Sequence, residues 1–65
     1  MKRVHQVLDG PYETSRDWYL VCIVEEEGKI FTDEVYFNSF NEAYKFMGKL
    51  EQSIEPLTVK TKSYH

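Results

Sequence analysis

At 65 residues the chain is sized for one domain spanning 1–65, and a fold of this length buries only about 60% of the surface its unfolded form exposes. A composition of 42% hydrophobic and 15% aromatic residues excludes disorder, and the single cysteine, Cys22, excludes an intramolecular disulfide framework or a multi-cysteine metal site. A net charge of −3 disfavours a nucleic-acid partner, and no apolar run reaches the roughly 18 residues of a membrane span.

Lys2 to Leu8 reads as a short strand with Val4, Val7 and Leu8 as its apolar content. Asp9-Gly10-Pro11 is expected to stop it, since proline lacks a ladder donor and glycine supplies a turn, and Tyr12 to Asp17 reads as a polar loop. Trp18 to Val24 is apolar throughout and rich in β-branched and aromatic side chains, which suits a central strand. Glu25-Glu26-Glu27-Gly28-Lys29 is a turn signal, and Ile30 to Phe37 is the return strand of a hairpin.

Ser39-Phe40-Asn41-Glu42 matches a capping box, in which the Ser39 hydroxyl accepts from the third helical amide and Glu42 reaches back to the Ser39 amide. Phe40, Ala43, Tyr44, Met47, Leu50 and Ile54 follow at spacings of three and four, the stripe of an amphipathic helix flanked by Phe46. Pro56 ends this helix near Ser53, while Gly48 inside it has no evident purpose. Leu57 to Lys62 alternates as a final strand. The order β-β-β-α-β gives an α+β fold, a four-stranded, largely antiparallel sheet with one helix on one face.

A single helix covers one side of such a sheet. Trp18, Leu20, Cys22 and Val24 share one face of the central strand, and Tyr19, Val21 and Ile23 share the other. A two-residue loop at Glu27-Gly28 groups the first set with Phe31, Asp33, Val35 and Phe37, and the second with Ile30, Thr32, Glu34 and Tyr36. A three-residue loop exchanges these neighbourhoods, and the sequence leaves both registers open. In either case a half-apolar, tyrosine-bearing face is left open for a partner, unless the N-terminal strand and loop 9–17 fold over it or Tyr19 and Tyr36 cover it.

Chemistry is scarce along the chain. Cys22 lies in the most apolar strand, and the two histidines, His5 and His65, are not spaced to serve it as a base or to form a metal site with it. Gly10, Gly28 and Gly48 stand apart, so no phosphate-binding loop exists, and Asp33 and Glu34 point to opposite faces of a strand. No catalytic residue, metal site or cofactor is therefore expected. Charge is polarised: residues 9–42 carry nine acids against Arg16 and Lys29, a balance of −7, which reads either as solvated turns or as an acidic patch for a basic surface. Met1-Lys2-Arg3 is not followed by a signal-like core, so a cytoplasmic location without membrane association is expected.

The pattern of residues 18–62 resembles that of small phage-encoded host-takeover proteins, such as the podovirus inhibitor of bacterial RNA polymerase. The shared features are an aromatic-led strand, an acidic turn, a second strand, Glu42-Ala43 after a small polar cap, one helix, and a basic-x-basic last strand, here Lys60-Thr61-Lys62. That inhibitor carries arginines at the last place and uses them to grip its target. Lysine is a poorer fork-shaped donor. The resemblance implies a non-enzymatic inhibitor or modulator of a host protein, with a host enzyme as partner. Tyr19, Val21, Ile23 and Tyr36 are the expected centre of the binding face, with Lys60 and Lys62 as its rim. The alternatives are a nucleic-acid-binding module that stacks bases on sheet aromatics, and a homo-oligomeric subunit such as a homodimer.

Overall fold

A computed structural model describes residues 2–59. Four strands, β1 (Lys2–Glu13), β2 (Trp18–Glu26), β3 (Lys29–Phe37) and β4 (Leu57–Val59), form one sheet in the order β3-β2-β1-β4, and α1 (Phe40–Gln52) lies between β3 and β4 in the chain. All neighbouring strands are antiparallel. The α+β architecture expected from the sequence is the one observed.

The register of the hairpin is settled by a two-residue loop. Glu26 pairs with Lys29, and Glu27 and Gly28 both adopt positive φ, 54° and 78°. Such a turn has the twist that a right-handed hairpin needs. Leu20, Cys22, Val24 and Val35 consequently share a face with Val4, and these five residues with Ala43 of α1 are the buried core. Val7, Phe37, Phe46, Met47, Leu50 and Val59 pack around them. Each large side chain removed from water here contributes roughly 1.5–3 kcal/mol.

The first strand runs further than its sequence implies. Instead of stopping at Asp9-Gly10-Pro11, β1 continues to Glu13, and the expected loop contracts to residues 14–17. Register shifts between Val4 and Gln6, Val7 and Asp9, and Asp9 and Tyr12 let the strand pass the breakers. Pro11 follows a cis peptide bond and falls within the last shift, where no ladder partner awaits its missing N–H. Gly10 sits at φ 110°, where a Cβ would lie 2.9 Å from the Tyr19 carbonyl oxygen and 3.2 Å from a Leu20 methyl. No other residue fits that place. The short connection is tied by Thr14, whose amide donates to the Asp17 carbonyl at 2.8 Å and whose hydroxyl accepts from the Asp17 amide at 3.0 Å.

The helix begins where expected. Ser39 Oγ accepts from the Glu42 amide at 3.2 Å, while the Glu42 carboxylate accepts from Asn38 N at 3.0 Å, one residue before the amide that a capping box would use. The buried stripe is also rotated from the expected one. Ala43, Phe46, Met47 and Leu50 face the sheet, whereas Tyr44 is exposed and Ile54, beyond the helix end, is fully so. Aromatic pairing explains the rotation: Phe46 meets Phe37 at 5.2 Å between ring centroids, and Phe40 meets Trp18 edge-on at 5.3 Å, with Tyr44 stacked outside it.

Candidate functional site

The face of the sheet away from α1 is built by the alternate residues of three strands. Register places Tyr12 beside Tyr19 and Tyr19 beside Tyr36, so three rings cross β1, β2 and β3 in a row. Both gaps are 5.5 Å between centroids, with the rings tilted by 41° and 40°. Directly opposed side chains on a sheet stand close enough for such contact, which is the reason three tyrosines distant in sequence become one ladder. Val21 and Ile23 continue the apolar strip along β2, flanked by Asp9 and Gln6 on β1 and by Glu34 and Thr32 on β3. Tyr19, Val21, Ile23 and Tyr36 are all half-buried, with no described segment over them. Residues 9–13 join the sheet as part of β1 and do not fold across this face.

Carboxylates frame the ladder. The Tyr12 hydroxyl donates to Asp9 Oδ2, and the Tyr36 hydroxyl donates to Glu34 Oε1 at 2.6 Å. These bonds hold the phenols in their neutral form: the Glu34 acceptor pushes Tyr36 up to about 12, and Asp9 raises Tyr12 in the same way. Asp9 is correspondingly held below the usual carboxylate range by the Tyr12 hydroxyl and the Gly10 amide. At the far end Glu25 bridges His5 Nε2 at 2.8 Å and Arg3 at 3.1 Å, and these two donors lower its carboxyl. The outer face thus presents apolar and phenolic surface at its centre and anionic oxygen at its margins.

The opposite face holds groups that the sequence singled out as chemically improbable. Cys22 is fully buried, and burial pushes its thiol up to about 11, which leaves almost no thiolate at neutral pH. Asp33 and Glu34 do point apart: Asp33 Oδ2 takes an ion pair from Lys2 Nζ at 2.7 Å on the helix side, while Glu34 meets Tyr36 on the outer side. Burial alone would raise the Asp33 carboxyl, but the Lys2 and Glu34 N–H donors outweigh it and leave it lowered. Among the described residues no three His, Cys, Asp or Glu side chains are placed to hold a metal ion. A groove of about 380 Å³ opens between β1 and α1, lined in part by Val7, Leu8, Met47 and Leu50.

Of the six residues that the sequence assigned to the site, Tyr19, Val21, Ile23 and Tyr36 share the outer face, and Lys60 and Lys62 lie outside the described residues. Tyr12 follows a Gly-Pro pair, which in the sequence signals a loop and hides its place in the ladder. Its aromatic side chain, only a short connection away from Trp18-Tyr19, was the available signal. No protein-family model matches the chain, and neither a curated protein nor a solved structure does. No described helix is long and apolar enough to cross a membrane.

Proposed function

We infer that this chain is a non-enzymatic protein-binding module that docks a partner on the outer face of its sheet. The observation that carries the reading is the strip of exposed Tyr12 and half-buried Tyr19, Tyr36, Val21 and Ile23, uncovered by any described element. Tyrosine supplies large contact area with two side-chain torsions to order, and its hydroxyl tolerates both water and an interface. The resemblance to phage host-takeover proteins supplies the class, an inhibitor or modulator of a host enzyme working in the host cytoplasm, with Lys60 and Lys62 as polar rim. The tyrosine platform would also suit nucleobases, but Asp9 and Glu34 are bonded to its hydroxyls and would repel a phosphate backbone.

The test is capture from a bacterial lysate by immobilised wild type, Tyr19→Ala and Tyr36→Ala, with circular dichroism on the same preparations. Truncating a central interface aromatic commonly costs 2 kcal/mol or more, so folded tyrosine variants are expected to lose the proteins that wild type retains. Lys60→Glu with Lys62→Glu should weaken capture less and make it more salt-dependent. Tyrosine variants that fold and capture as wild type would place the interface elsewhere.

A further inference from the structure

Among the described strands β3 is a long edge, with β2 on one side and no described strand on the other. The two-residue turn makes Glu26 and Lys29 a hydrogen-bonded pair, and bonded pairs alternate along an antiparallel ladder. The N–H and C=O groups of Lys29, Phe31 and Asp33 therefore turn to β2, and those of Ile30, Thr32 and Glu34 turn outward. The Glu34 amide agrees, since it donates to Asp33 Oδ1 at 2.8 Å. Asp33 is fastened in turn by Lys2 at 2.7 Å. This clasp occupies the edge at Glu34 and leaves Ile30 and Thr32 as its open stretch. The same stretch carries the two exposed large apolar residues of the strand, Ile30 at 66% and Phe31 at 39%.

We propose that two copies of this chain pair through this stretch of β3, antiparallel about a two-fold axis at Phe31. Ile30 of each copy then forms a hydrogen-bonded pair with Thr32 of the other, and neither copy needs its Glu34 amide. The two Phe31 side chains meet across the axis on the helix side of the sheet. Lys29 falls opposite Asp33 of the second copy, so both ends of the junction set a cation against a carboxylate, the favoured cross-strand arrangement. A register centred on Asp33 would instead break the clasp and oppose two carboxylates. The pairing joins the two sheets edge to edge with their outer faces on the same side. It uses none of the tyrosine ladder and so stands independently of the partner-docking reading.

Sedimentation of the full chain alone, over a wide concentration range, tests this. Wild type should rise in mass with concentration toward twice that of one chain. Thr32→Pro deletes an outward N–H without touching the β2 ladder, and its preceding residue is already extended as proline requires. It should weaken dimerisation by about tenfold or more at unchanged circular dichroism. Lys29→Glu, which brings a second carboxylate opposite Asp33, should weaken it as well and stands as the readout if the proline variant does not fold. A wild type that stays monomeric at every concentration overturns the proposal, and so does a folded Thr32→Pro or Lys29→Glu variant that dimerises as wild type.

Discussion

On the helix side of the sheet Leu20, Cys22 and Val24 are fully buried, while their immediate neighbours in the same strand, Tyr19, Val21 and Ile23, stay half-exposed on the other side. The residues are similar in kind and alternate along one chain segment. What separates them is a thirteen-residue helix that exists on one side only. The inner face gains from close-packed burial against Ala43, Phe46, Met47 and Leu50. Among the described residues the outer face has only its cross-strand neighbours, and aromatic pairs such as Tyr12–Tyr19 and Tyr19–Tyr36 supply roughly 0.5–1.5 kcal/mol each beyond their area. One face carries the fold, and the other stays half-exposed.

Substituting adjacent residues of β2 gives the largest contrast. Leu20→Ala should cost about 2–5 kcal/mol through lost burial and a cavity, enough to unfold much of a domain this small, whereas Val21→Ala should cost about 1 kcal/mol or less. Thermal melts would rank the two, and Cys22 labelling by a thiol reagent would report the opening of the inner face. Equal costs would mean that the faces are not energetically distinct.

A smaller effect tests how β1 reaches the outer face. Gly10→Ala meets both a positive φ and a 2.9 Å approach to the Tyr19 carbonyl, and should cost about 1–3 kcal/mol. It should also disturb the Tyr12–Tyr19 contact, visible as a change in near-ultraviolet dichroism. Gly28→Ala has the positive φ without the contact, so it should cost less than Gly10→Ala. The reverse order would show that close approach at Gly10 is unimportant.

The smallest effects belong to the helix that makes the faces different. Ser39→Ala removes the bond to the Glu42 amide and should lower stability by about 0.5–2 kcal/mol in a chemical-denaturation curve. Gly48→Ala should raise it by about 0.5–1 kcal/mol, since nothing lies within 4 Å of the added carbon. A fall instead would mean that Gly48 serves a purpose beyond this helix.

The hairpin, the helix start at Ser39 and the division of β2 into two faces were legible in the sequence because each depends on residues a few positions apart. An apolar run, an acidic turn and a capping serine act locally, and no distant contact overrides them here. The same alternation placed Tyr19, Val21 and Ile23 together, whereas Tyr36 joins them only in the register that the two-residue loop sets. It could not say which face α1 covers, because that hangs on one residue of loop length between Glu26 and Lys29. Nor could it extend β1 past Gly10-Pro11: local propensity there favours a stop, and only pairing with Val21, Tyr19 and Trp18 offsets it. Tyr12 entered the ladder by that route, and the helix stripe turned from Tyr44 to Phe46 because Phe37 was waiting on the sheet. Local chemistry in the sequence determined the elements and their faces, while long-range pairing and packing decided which face was buried and how far β1 ran.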